Sequence, residues 1–210
     1  MSNSIELYSN NTKSNASLIL ASKSPRRREI IADFGIDFTA EAADIGDEHR
    51  FFTGGDVESE IIALAQEKAR PISEKYPDNP VLSADTIVVI DGKILGKPKD
   101  REDAKKMLKM LSGRSHFVYT AINLVCKNHN FNEVILDKTE VFFREIEEDE
   151  LENYLDRANY ADKAGSYGIQ EDGKYFVEKI NGDYWTVVGL GVASVGKLLK
   201  KFEILKNKGA

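Results

Sequence analysis

The chain has 210 residues, 41% hydrophobic and 30% charged, with a formal net charge of −6. That length suits about one to one and a half domains with a sizeable core. The acidic balance excludes a general nucleic-acid coat, which would be basic, and no apolar run nears the roughly 18 residues of a membrane span. The expectation is one soluble α/β domain, cytoplasmic, with no nucleic-acid polymer and no membrane as partner.

Residues 1–16 are polar and rich in Asn and Ser. They lack the basic start and apolar core of a secretory signal. They also lack arginine and carry Glu6, which argues against a mitochondrial presequence. They read as a disordered or frayed extension ahead of a single domain over 17–207.

Residues 17–22 then read as a strand. Ser24 suits an N-cap and Pro25 the first helical position, so a helix is expected over 25–34, stopped by Gly35. Residues 37–42 form a short strand. Thr53-Gly54-Gly55-Asp56 caps a long helix over 57–75, with an apolar stripe through Val57, Ile61, Leu64, Ala65 and Ile72. Val81–Ile90 is a continuous apolar strand, and Asp91-Gly92 is a tight turn into Lys93-Ile94-Leu95. Asp100 caps a helix that Gly113 closes. Two long strands follow, 115–126 and 131–143, joined by a polar turn. An acidic first turn marks a helix over 147–158. Residues 160–173 are loop, 174–180 a strand, and 187–206 largely helical. The order predicts a mixed twisted sheet with flanking helices, in two lobes around a cleft.

Several residues stand out chemically. Ser22-Lys23-Ser24-Pro25-Arg26-Arg27-Arg28 joins a strand to a helix N-terminus. Unpaired backbone N–H groups, hydroxyls and guanidinium forks converge there, as at a phosphate site. A basic first turn opposes the helix dipole, so it needs a reason. Asp85 lies within an apolar strand, where an unpaired carboxylate costs several kcal/mol in effective terms. It must be paired, protonated or bound to a cation. Lys97 follows one hairpin later, and Lys68 sits on the long helix. With Arg26 and Arg27 they suit a triphosphate, a divalent metal taking the remaining charge. Asp162–Gln170 is a small-residue loop whose glycines allow close approach. Gln170, with one donor and one acceptor, matches two positions of a uracil-type pairing edge.

Other features point away from alternatives. Cys126 is the one cysteine, so no internal disulfide forms, and it reads as a buried small hydrophobe. That fits a reducing compartment. His49, His116 and His129 show no ligand spacing. Gly191–Leu198 fits G-x-x-x-x-G-K, but Leu198 takes the hydroxyl position and too little chain follows for a P-loop domain.

Six motifs occur in this order: Ser22-Lys23-Ser24-Pro25-Arg26-Arg27, Ser83-Ala84-Asp85-Thr86, Leu95-Gly96-Lys97-Pro98, Leu111-Ser112-Gly113-Arg114-Ser115-His116, Asp162–Gln170 and Gly182-Asp183-Tyr184. From about Leu18 to about Phe202 the chain resembles the Maf family of nucleotide pyrophosphatases. The resemblance implies a fold like that of inosine triphosphate pyrophosphatases, and a homodimer. It implies hydrolysis of nucleoside triphosphates to monophosphate and pyrophosphate, with a divalent metal such as Mg or Mn. Ala-Asp-Thr and Gly-Ile-Gln look like the branch acting on dTTP and UTP. By resemblance Asp85 is the catalytic base and also a metal ligand. By the same resemblance Arg26, Thr86 and Gln170 select the base, while Ser22, Lys68 and Lys97 hold the phosphates; Arg27 is counted with the substrate-binding residues on its charge. The second acidic metal position falls on Asp44, Asp47 or Glu48. Ala121 and Gly191 depart from residues common in the family. The biological role implied is nucleotide-pool sanitation, and some members are linked to arrest of cell division. The alternatives are a 7-methyl-GTP pyrophosphatase and a non-catalytic nucleotide-sensing regulator.

Overall fold

Extended apolar runs build the sheet, and the computed structural model describes residues 8–9, 17–204 and 206–207. Among these residues seven strands form one mixed sheet, in the order β3-β2-β4-β6-β7-β8, with β5 paired to β4. The strands are β2 Leu18–Leu20, β3 Phe38–Ala40, β4 Val81–Ile90, β5 Lys93–Leu95, β6 Ser115–Cys126, β7 Phe131–Phe143 and β8 Val177–Asn181. β2 runs parallel to β3 and β4, whereas β5 and β8 pair antiparallel to β4 and β7. Two further short strands, β1 Tyr8–Ser9 and β9 Lys206–Asn207, pair antiparallel. Apart from Tyr8 and Ser9, the extension expected to fray lies outside the described residues.

The helices are α1 Pro25–Asp33, α2 Val57–Lys75, α3 Arg101–Leu111, α4 Glu148–Arg157, α5 Tyr184–Val188 and α6 Val192–Lys201. Ser24, Asp56 and Asp100 each accept a first-turn backbone N–H at the N-caps of α1, α2 and α3. Such caps are worth about 1 kcal/mol each. Gly35 follows α1 in the left-handed region at φ 65°. None of the described helices is long and apolar enough to cross a membrane.

Chain contacts divide the molecule into two compact units. The first takes residues 1–85, 120–137 and 189–210. One cluster of its core packs Ile19, Ala21 and Val81 against Ala69 and Ile72 of α2. The second takes residues 86–119 and 138–188. Its core joins Val88, Ile90 and Leu95 to Leu108 and Leu111 of α3, to Leu151 and Tyr154 of α4, and to Phe143, Tyr167 and Phe176.

Two segments differ from the sequence expectation. Asp172–Phe176 is a 3-10 turn, and strand β8 begins only at Val177. The turn packs so tightly that a Cβ on Gly173 would lie 2.8 Å from the Gly168 carbonyl oxygen. The expected helical tail is broken into α5 and α6 around Gly189, whose φ of 116° no L-residue adopts easily.

Candidate active site

In the first unit the chain leaves β2 at Leu20 and turns through Ser22 into α1. The Ser22 hydroxyl oxygen accepts the Ser24 N–H at 3.2 Å, and Arg27 Nη1 reaches it at 3.5 Å. Arg27 also donates from Nη1 to the Ala84 carbonyl at 2.7 Å and from Nε to the Gly189 carbonyl at 2.9 Å. That explains a basic residue placed against the helix dipole. The guanidinium ties three segments together, and its fork suits two carbonyls at once. Burial lowers its pKa, while the negative charge of Asp85 acts in the opposite sense. Arg26 is half-buried on the same turn and Arg28 is exposed.

Strand β4 sends two side chains toward α2. The Ser83 hydroxyl, fully buried, donates to the Ala65 carbonyl at 2.5 Å. Two residues on, Asp85 is 8% exposed, and its Oδ1 accepts a hydrogen bond from Lys68 Nζ. The same ammonium lies 3.0 Å from Glu48 Oε1. Two carboxylates therefore share one lysine, and Asp85 has the counter-charge its burial demands. Of the three acidic candidates near β3, Glu48 reaches this pair. Asp44 Oδ1 instead accepts the Gly46 N–H at 2.9 Å, and Asp47 caps the 3-10 turn Glu48–Phe51 through His49 N.

Among the described residues no group of three or more His, Cys, Asp or Glu could hold a metal. Asp85 and Glu48 offer two hard oxygen ligands. Mg²⁺ in phosphate-transfer sites commonly takes one or two protein carboxylates, the rest being water and substrate phosphate. The donor set fits an ion of that kind.

In the second unit Thr86 opens the segment and stands on the same face of β4 as Val88, two residues on. Val88 pairs with Leu95 of β5. The Gly165 N–H then donates to the Gly96 carbonyl at 3.0 Å, beside the exposed Lys97. A Cβ on Gly165 would lie 3.0 Å from Val88 Cγ2, and its φ is +68°. The glycine lets this loop settle on the strand face that carries Thr86. Tyr167 is buried, and its hydroxyl lies 2.8 Å from His116 Nε2. Burial pushes the Tyr167 hydroxyl up and lowers His116 to about 4. Gln170 is exposed at the end of the loop. Lys163, in the same loop, is buried, although the sequence reading gave it no role.

A family profile described as Maf-like protein matches residues 17–202. The chain belongs to the Maf family. Relatives of this Maf chain include the dTTP/UTP pyrophosphatase of Bacillus velezensis, 43% identical over 187 residues, covering 89% of this chain and 97% of that one. The dTTP/UTP pyrophosphatase of Caldanaerobacter subterraneus subsp. tengcongensis is 43% identical over 185 residues, 88% of each chain. Among solved structures, the Staphylococcus aureus Ham1 protein matches 61% of this chain and 72% of its own, with 13% identity and a TM-score of 0.40. The Maf chain carries its Gly191–Leu198 segment as the start of α6, with Gly191 as N-cap and Gly196 and Lys197 inside the helix. Those residues make no phosphate-wrapping loop.

Proposed function

We propose that this Maf protein is a nucleoside triphosphate pyrophosphatase that hydrolyses dTTP, UTP and related pyrimidine nucleotides to the monophosphate and pyrophosphate. The observation that carries the chemistry is the Lys68–Asp85 pair. It sets a counter-charge against a buried carboxylate at the end of the Ser83-Ala84-Asp85 run. The Asp85 carboxylate can take a proton from the water that attacks the α-phosphorus. Arg26, Lys68 and Lys97 supply positive charge for the departing pyrophosphate. Arg27 serves the site by fixing the Ala84 carbonyl, one residue before the base. Ser22 holds the start of α1 through its bond from the Ser24 N–H.

Asp85 and Glu48 would hold a divalent cation, Mg or Mn. When bound, it neutralises phosphate charge and acidifies a coordinated water. Base selection is assigned to Arg26, Thr86 and Gln170. The relatives' printed substrates support that assignment, as do the Thr86 and Gly168-Ile169-Gln170 positions. On this reading the protein acts in the cytoplasm, as a homodimer, in nucleotide-pool sanitation. Sedimentation of the purified chain tests the dimer.

The deciding experiment is pyrophosphate release from dTTP, UTP, dCTP, ATP, GTP and 7-methyl-GTP, with Mg²⁺ or Mn²⁺. dTTP and UTP should lead, dCTP should follow, and the purines should be slowest. Equal kcat/KM for dTTP and GTP would remove the base assignment. Nucleotide binding without any pyrophosphate release would leave a sensing protein instead of an enzyme.

A further inference from the structure

Lys163 is the most buried charged side chain in the second unit, 3% exposed. Burying an ammonium is costly unless every donor is matched. Lys163 Nζ carries three donors, and three oxygens meet it. It donates to the Asn159 carbonyl, lies 2.9 Å from Asp162 Oδ1, and lies 3.2 Å from Glu171 Oε1. These acceptors sit before the loop, at its start and just past Gln170. The lysine stem is part of the same clamp, since a Cβ on Gly168 would lie 2.7 Å from Lys163 Cε. The Glu171 backbone is held as well, its N–H donating to the Gly168 carbonyl at 3.1 Å. Gln170 itself is exposed and lies between the buried Ile169 and this doubly fixed Glu171.

We infer that Lys163 is the positioning residue for base selection: its ammonium draws Asn159, Asp162 and Glu171 together and so sets where the Gln170 amide is presented. The inference rests on the assignment of Gln170 to base recognition made above. A surface turn would hold Gln170 without a buried charge. A charge matched by three oxygens from both ends of one loop specifies a single loop geometry instead. An amide that must match a donor and an acceptor on a base edge needs such a fixed position.

The test measures kcat and KM for dTTP and dCTP in four proteins: the parent, Lys163→Met, Gln170→Ala, and the double variant. Methionine keeps the length of the stem and removes the charge. The dTTP-to-dCTP ratio of kcat/KM should fall about tenfold in Lys163→Met, the scale of one misplaced base contact. The loss should come more from a raised KM for dTTP than from kcat. Adding Lys163→Met to Gln170→Ala should change the ratio by less than about twofold, because both act through one amide. An unchanged ratio in Lys163→Met overturns the inference, as does a double variant whose losses multiply. If Lys163→Met fails to fold, Glu171→Gln and Asp162→Asn carry the same test. Each should lower the ratio in the same direction, and an unchanged ratio in both overturns it. A parent with no preference for dTTP, or a Gln170→Ala protein with the parent's ratio, removes the base-selection assignment itself. A selective parent, a Gln170-dependent ratio and an indifferent Lys163 remove the role of Lys163 alone.

Discussion

Lys68 and Asp85 are joined by a direct ion pair between α2 and β4, and both side chains are largely withdrawn from solvent. In the proposed mechanism Asp85 is the base. Asp85→Asn keeps its size and one acceptor oxygen but removes its charge. Turnover of dTTP should fall at least about a hundredfold, the scale of lost general-base catalysis. Binding of triphosphate should weaken much less. Pyrophosphate release at saturating dTTP checks this, and near-parental turnover would take Asp85 out of the mechanism.

Lys68 also keeps Asp85 and Glu48 from facing each other without a cation. Lys68→Met removes the shared ammonium. Breaking a buried pair costs 3–5 kcal/mol when burial is complete, so about 2 kcal/mol is expected at this partly open site. Without divalent metal the melting temperature should drop accordingly. Millimolar Mg²⁺ should raise the variant's Tm by more than it raises the parent's, because the two carboxylates then share the metal. Equal Mg²⁺ effects on the two proteins would mean that Asp85 and Glu48 make no cation site.

The neighbouring arginines should behave differently. Arg27→Ala strips partners from the Ala84 and Gly189 carbonyls. Bonds from a charged donor are worth roughly 1.5–3 kcal/mol each, so losing the two should cost about 3–6 kcal/mol. Arg26→Ala, at a half-buried position on the same turn, should cost less stability than Arg27→Ala. It should instead raise KM for triphosphates and lower kcat, through a lost charge-assisted contact. Urea melts and steady-state kinetics on both variants separate the roles. An unstable but fully active Arg26→Ala would reverse the assignment for Arg26.

His116 should impose acid sensitivity above the carboxylate range. Burial lowers its pKa from 6.5 to about 4, against the edges of Phe143 and Tyr167. The unfolded chain therefore binds more protons between those values. Stability rises with pH across that window and is lost as pH falls through it. The full effect is at most about 3 kcal/mol at 1.36 kcal/mol per pKa unit. His116→Gln removes the titrating ring, so its Tm should fall less between pH 6.5 and 5 than the parent's. Parallel Tm-versus-pH curves for the two proteins would rule out His116 as the source.

Much of this fold is written locally. Val81–Ile90 is apolar apart from Ser83, Asp85 and Thr86, and Asp56 and Asp100 announce their helices one residue ahead. The Asp172–Phe176 turn was not legible, because Tyr175, Phe176 and Val177 read as a strand start and nothing nearby marks the contact between Gly173 and Gly168. The site divides in the same way. The burial of Asp85 shows in its apolar neighbours, but its partner lies 17 residues away on a different element. The choice among Asp44, Asp47 and Glu48 depended on which one reaches Lys68, and local spacing is nearly identical for all three. Arg27 looked like one of three equivalent arginines. Its bond to Gly189 spans 162 residues, so no local pattern distinguishes it from Arg26.

The contact between Gly173 and Gly168 also limits how substrate preference can be altered. A Cβ on Gly173 would run into the backbone oxygen and nitrogen of Gly168, and a Cβ on Gly168 into the stem of Lys163. Within residues 163–173, Gly165, Gly168 and Gly173 therefore cannot gain a Cβ unless a neighbour moves. Exchanging Gln170 by itself would put a new side chain on a support shaped for glutamine. The natural unit of exchange between relatives with different base preferences is the whole stretch from Asn159 to Gly173, transferred with its glycines and its lysine. Grafts of that stretch should carry over the share of base preference that Gln170 supplies, with Arg26 and Thr86 supplying the rest, and single-residue exchanges at Gln170 should yield poor enzymes for either base.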